Sequence, residues 1–144
     1  MYRTFLFLFS LIVLLSCGAD KDETSLTLND REYIESLGIL KKGEDIQLFE
    51  SNGGFDGIKQ SGNFITSERI ASYWIEDTEQ TIGSAFYSEI DSMTLTDLVS
   101  KLTYASYITV YKTDGNRFDV YIDADSARTY QFYGHALSNW EKNR

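Results

Sequence analysis

A mainly β fold with a helix at each end is predicted: an antiparallel sandwich or barrel of about seven short strands, closed by an amphipathic C-terminal helix. Three observations carry this. Aromatic residues make up 15% of the chain and proline is absent, a composition that suits pleated, half-buried surfaces. From Ile46 to Asp123, short runs of alternating apolar residues are separated by turns rich in Gly, Asn and Asp. Near the end, Tyr130, Tyr133, Leu137 and Trp140 recur at spacings of three, four and three, which makes one apolar stripe along a helix.

The elements follow in order. Asn29 is a good N-cap with Glu32 at the capping-box position, and Leu28 and Tyr33 occupy the hydrophobic-staple positions. Gly38 is placed to end that first helix in a left-handed cap. Ile34 and Leu37 face the body. Extended runs are expected at Ile46–Glu50, Phe55–Gln60, Phe64–Thr66, Arg69–Glu76, Thr81–Tyr87 and Ile90–Leu95, with turns at Ser51-Asn52-Gly53-Gly54 and Ser61-Gly62-Asn63. The segment Tyr107–Asp123 reads as a hairpin. A two-residue Asp114-Gly115 turn would place Phe118 opposite Tyr111 and mix the two faces. A three-residue loop of Thr113, Asp114 and Gly115, with Gly115 left-handed, restores the parity. Val110 then faces Phe118 and Ile108 faces Val120 on the core side, while Tyr111–Arg117 and Tyr107–Tyr121 pair on the other. The last helix runs from about Ala124 to Lys142, capped by Asp123 or Asp125.

Part of the body resembles a known family. The segment Asn63-Phe-Ile-Thr-Ser-Glu-Arg-Ile-Ala-Ser-Tyr-Trp-Ile75 is similar to the strand–turn–strand of bacterial pleckstrin-homology-like domains, in which a Thr-x-x-Arg turn, here Thr66-Ser67-Glu68-Arg69, precedes an apolar strand. Tyr87-Ser88-Glu89-Ile90 matches a later acidic-Ile step. The resemblance spans roughly residues 43 to 140. It implies a bent, nearly closed antiparallel barrel capped at one end by the last helix. Phosphoinositide binding is not carried over with it, because the basic cluster that such binding needs is missing.

At the other end of the chain lies a leader. Arg3 gives a basic start, and residues 5–15 form a continuous apolar run too short to span a bilayer, which takes about 20 residues. The boundary Leu14-Leu15-Ser16-Cys17 resembles the lipobox of bacterial lipoproteins. That resemblance implies a diacylglycerol on the Cys17 thiol, cleavage before it, and acylation of the new amine by a fatty acid such as palmitate. Two or three acyl chains hold a protein at a membrane where one is marginal. Cys17 is the only cysteine, so none remains for an intrachain disulfide and the exported domain must be stable through its core. The expected organisation is residues 1–16 as signal peptide, 17–28 as a lipidated flexible tether, and 29–144 as one globular domain. Gly after the cysteine fits an outer-membrane lipoprotein, and Lys21-Asp22-Glu23 is similar to the surface-export signals of some of them.

Charge narrows the partners. Thirteen basic residues face 22 acidic ones, for a net charge of −9, and loss of the leader removes only Arg3, for −10. This argues against nucleic acid and against docking of the folded domain on anionic lipid heads. The membrane partner is therefore the covalent lipid on Cys17.

Candidate chemistry is sparse. His135, the only histidine, lies opposite the apolar stripe and is expected to be exposed. With the only thiol taken by lipid, no Ser-His-Asp or Cys-His system can be assembled. Asp119, Asp123 and Asp125 cluster without the spacing, Gly and terminal Glu of a calcium loop, so they read as a strand-surface acid and a helix cap. The glycines at 53, 54, 57 and 62 read as turn residues, with no phosphate-cradling pattern. No catalytic residue, metal ligand or cofactor is expected. Tyr107, Tyr111 and Tyr121, on the polar face of the hairpin, form a candidate interaction patch; the alternative is that the first helix or residues 95–102 cover them.

The leading expectation is a non-enzymatic module in the cell envelope, at the outer membrane on its periplasmic or surface face, that binds a protein or small ligand. The second is an inhibitor or immunity protein neutralising a basic toxin or hydrolase. The two separate by salt: a charge-steered inhibitor loses association rate steeply with ionic strength, whereas an aromatic-patch binder does not. An enzyme working through carboxylates is the third and weakest.

Overall fold

The computed structural model describes residues 26–52, 56–101 and 104–144. The leader, Cys17 and the expected tether up to residue 25 lie outside the described residues, as do Gly53, Gly54 and Phe55. In order come α1 (Leu28–Ser36), β1 (Ile46–Glu50), a 3-10 turn at Gly57–Lys59, β2 (Ser61–Thr66), β3 (Arg69–Ile75), β4 (Gln80–Phe86), β5 (Ile90–Thr96), β6 (Ser106–Lys112), β7 (Arg117–Ile122) and α2 (Ser126–Asn143). The strands form two antiparallel sheets, β1-β2-β3-β4 and β5-β6-β7. Four strands plus three with a closing C-terminal helix is the architecture implied by the resemblance.

Three local expectations need correction. The helix α1 is capped by Thr27, not Asn29. The Thr27 hydroxyl accepts from the Asp30 amide, and the Asp30 carboxylate accepts from the Thr27 amide at 2.9 Å. Cap and box therefore sit two residues earlier than the Asn29/Glu32 pair, and Asp30 serves as the box acid. The helix still ends before Gly38, whose φ is +77°. The second strand is not Phe55–Gln60, where the described part forms a 3-10 turn, but Ser61–Thr66, so Ser61-Gly62-Asn63 is strand rather than turn. Gly62 imitates a turn residue for a tertiary reason: a Cβ there would fall 2.4 Å from the Tyr73 ring, which lies flat across β2.

The hairpin follows the predicted register, with Val110↔Phe118, Ile108↔Val120, Tyr111↔Arg117 and Tyr107↔Tyr121. Gly115 takes φ +85° in its loop.

Two apolar clusters sit on the two faces of the four-stranded sheet. Between the sheets lie Leu48, Ile65, Ile70, Ala85, Ile108, Val110, Val120 and Ile122. On the outer face, Ile34 from α1 packs with Ile39, Phe49, Phe64, Ala71 and Tyr73. The two faces follow from the alternation of β3, which sends Ile70, Ser72 and Trp74 inward and Ala71, Tyr73 and Ile75 outward.

The helix α2 bridges two sheet edges. On the β1 side, Arg128 Nε donates to Glu50 at 2.6 Å and Asn139 donates to Gln47 at 2.7 Å. On the β5 side, the Tyr133 hydroxyl donates to the Met93 carbonyl at 3.2 Å and Trp140 Nε1 to the Ile90 carbonyl at 3.1 Å. Asp125 caps it, its carboxylate accepting from the Arg128 amide. Held on both sides, the helix buries a broader face than the predicted stripe. Thr129, Phe132 and Ala136 are buried and Tyr133, Leu137 and Trp140 are partly covered, but Tyr130 is 56% exposed and leaves the stripe.

The Thr-x-x-Arg turn joins β2 to β3 around a buried ion pair. The Thr66 hydroxyl accepts from the Glu68 and Arg69 amides, both at 3.0 Å, and donates to Glu44 Oε1 at 2.6 Å. Arg69 Nε donates to the same oxygen at 3.0 Å, and the Lys41 amide donates to Glu44 Oε2 at 3.1 Å. The guanidinium also lies over the Phe86 ring, 4.2 Å from its centroid. At the second resemblance segment, the Glu89 carboxylate accepts from the Phe86 amide at 3.0 Å and fixes the corner into β5.

Candidate functional site: an uncovered row on the inner sheet face

The strands of the two sheets cross, and each inward row of the four-stranded sheet meets a different part of the three-stranded one. One row, in register across the sheet, is Ile65–Ile70–Ala85, which lies in the inter-sheet core. The next is Asn63–Ser72–Gly83, and β7 passes over it. Asn63 Oδ1 accepts the Tyr121 amide at 2.8 Å, and a Cβ on Gly83 would fall 2.4 Å from the Phe118 ring. Only glycine lets the aromatic ring rest on the backbone of β4. The third row is Ser61–Trp74–Thr81; Ser61 is buried beside the end of β1, its hydroxyl accepting the Asn52 amide at 3.3 Å, and among the described residues no strand of the other sheet pairs beyond β7 to cover Trp74 and Thr81.

Over that row lies a cleft of about 570 Å³, with Asn63 and Ser72 at its inner end and Arg117, Asp119 and Tyr121 along one side. A volume of this size is that of an ordinary ligand site. Trp74 and Tyr121 line it while remaining 38% and 43% exposed. Its polar groups are ordered. Asn63, 1% exposed, also accepts the Ser72 hydroxyl at 2.8 Å, and the Trp74 indole N–H donates to Glu76 at 2.8 Å. The Asn52 side-chain oxygen, also on the lining, is buried without a hydrogen-bond partner among the described residues. Burial, with the neighbouring Asp119 charge, raises the Tyr121 phenol above its ordinary pKa, so it is a neutral hydroxyl at physiological pH.

The predicted tyrosine patch divides here. Tyr107 and Tyr121 touch, their ring centroids 5.9 Å apart. Tyr121 reaches the cleft, whereas Tyr111 is half-buried and does not line it. Nor does α1 cover them, since it packs on the outer face of the other sheet. His135 is exposed on α2, away from the cleft. Of the three clustered aspartates, Asp125 caps α2, Asp119 accepts the Thr109 hydroxyl at 2.7 Å, and Asp123 is exposed. Asn63, Trp74, Gly83 and Phe118 were not read from the sequence as site residues. The available signal was Gly83, a glycine inside an apolar-flanked strand, which marks close approach of another chain segment.

Among solved structures, the chain is similar to a DUF1696 family protein with a pleckstrin-homology domain from Shewanella loihica PV-4, at 11% identity and a TM-score of 0.46, over 78% of this chain and 97% of that one. No family model matches the sequence, and no curated protein does.

Proposed function

We propose that this chain is a lipid-anchored module of the cell envelope that binds a partner in the cleft over Ser61–Trp74–Thr81 and performs no catalysis. The observation that carries the reading is the uncovered third row. A folded chain normally covers the inner face of its sheet, yet here, among the described residues, an aromatic rim of Trp74 and Tyr121 stays open above an ordered polar floor. Exposed aromatics around a concave, partly polar surface are the usual makings of a binding site. The leader pattern ending in Cys17 supports the address, and acylation there supplies a membrane hold that the acidic body does not.

The test is site-specific photocrosslinking in living cells. A photoreactive residue at Thr81, which pairs with Trp74 in the open row and lines the cleft, is expected to capture a discrete partner. The same residue at Tyr104, which is 71% exposed and outside the cleft, is expected not to. Equal capture at both positions, or none at Thr81, removes the cleft from consideration.

A further inference from the structure

We infer that the free edge of β7 takes up an extended peptide segment as the fourth strand of its sheet. The inference rests on the cleft being the binding surface and goes beyond it by naming the class of occupant. The first support is the direction of the β7 main chain. The Lys112 amide donates to the Asn116 carbonyl at 2.8 Å, closing the hairpin with a hydrogen-bonded pair. Alternation then makes Val110↔Phe118 and Ile108↔Val120 hydrogen-bonded, and turns the N–H and C=O groups of Arg117, Asp119 and Tyr121 away from β6. The Tyr121 amide bears this out independently, since it donates to Asn63 and not to the ladder. The buried Asn63 carbonyl thus stands where a neighbouring strand's carbonyl would stand and caps one position of the edge. Arg117 and Asp119 continue that edge along the cleft.

The second support is spacing. The covered row through Ser72 and the uncovered row through Trp74 are two residues apart on β3, about 6.6 Å at the rise of a strand. Strands in a sheet lie about 4.8 Å apart. A strand added to β7 therefore sits over Ser61–Trp74–Thr81 and continues the succession of strands over rows. The four-stranded sheet, through Trp74 and Thr81, forms the opposite wall.

The chemistry of the occupant follows from the pairing. With the position at Tyr121 taken by Asn63, residues opposite Asp119 and Arg117 share their face, so an antiparallel segment reading basic, x, acidic places unlike charges opposite each other. The intervening x residues face Trp74 and Thr81 and are apolar or β-branched. Main-chain hydrogen bonds then supply affinity and alternate side chains supply selectivity.

The experiment uses the full lipidated chain extracted in detergent, with the synthetic peptide acetyl-Val-Lys-Val-Glu-Thr as probe. Amide hydrogen exchange at Arg117 and Asp119 is expected to slow by about tenfold or more when the peptide is added at about 1 mM. N-methylation of the peptide Lys, whose N–H faces β7, is expected to abolish this, and N-methylation of the Val before it is expected not to. Asp119→Pro removes an N–H that the β6 ladder does not use, so the fold is expected to persist while peptide protection is lost; Asp119→Ala, which keeps the N–H, retains it. The inference is overturned if the peptide gives no protection, if both N-methyl positions behave alike, or if Asp119→Pro binds as the parent does. Protection that grows with protein concentration in the absence of peptide also overturns it, in favour of a second copy. Should the peptide fail while crosslinking at Thr81 persists in cells, the cleft stands and strand addition falls.

Discussion

Replacing Glu44 with Ala is expected to cost about 3–5 kcal/mol of stability, the loss usual when one partner of a buried ion pair is removed. The side chains of Glu44 and Arg69 are 4% and 6% exposed. One carboxylate oxygen accepts from both the Arg69 guanidinium and the Thr66 hydroxyl. Without it, Arg69 keeps its charge in a space walled by the Phe86 ring and the β2–β3 turn, with no carboxylate to meet it. Domains of this size are stable by about 5–15 kcal/mol in all, so the urea midpoint should fall by a large fraction. Changing both residues together, Glu44→Leu with Arg69→Met, is expected to lose far less, since no charge is then stranded. A loss below about 1 kcal/mol for Glu44→Ala alone would mean that water reaches the pair and that the Thr-x-x-Arg turn is held by something else.

The second large effect is alkaline. Burial raises the pKa of both the Tyr73 and Tyr87 phenols well above the ordinary tyrosine value, and both side chains are almost wholly covered. Below about pH 10 these tyrosines are protonated in the folded and unfolded chains alike, and stability is complete. As pH rises above 10 the unfolded chain releases both protons while the folded chain keeps them. Stability then falls by about 1.4 kcal/mol per pH unit for each tyrosine. Unfolding free energy measured from pH 8 to 12 should therefore be level at first and then steepen above 10. Tyr73→Phe should flatten that limb by about one tyrosine's share, at a modest cost near neutrality from the lost hydrogen bond to the Ile58 carbonyl. A limb of unchanged slope in Tyr73→Phe contradicts the assignment.

What the sequence disclosed and what it concealed divide by the range of the forces involved. The hairpin register was legible because parity is local: only a three-residue loop keeps Ile108, Val110, Phe118 and Val120 on one face. The ends of β1, β3, β4 and β5 followed from alternation in the same way, to within a residue or so. The second strand was misplaced because Gly62 and Asn63 carry turn chemistry in the sequence but answer to distant partners. Gly62 makes room for the Tyr73 ring, and Asn63 caps the edge of β7, 58 residues away. The apolar face of α2 was read from periodicity alone, but its width is set by two sheet edges, which bring Thr129, Phe132 and Ala136 inward and leave Tyr130 out. The same distinction governs the site. Tyr121 was accessible to alternation, whereas the cleft exists only because one sheet is a strand narrower than the face it covers.

We propose that lipid on Cys17 holds this two-sheet domain, with its open row, at a membrane. Metabolic labelling with an alkyne analogue of palmitate tests this most directly. The parent chain is expected to carry the label, fractionate with membranes and run at the size of a chain starting at Cys17, while Cys17→Ala is expected to be unlabelled and to leave the membrane fraction or keep its leader. An unlabelled parent, or a Cys17→Ala chain that is processed and membrane-bound as before, would contradict the account.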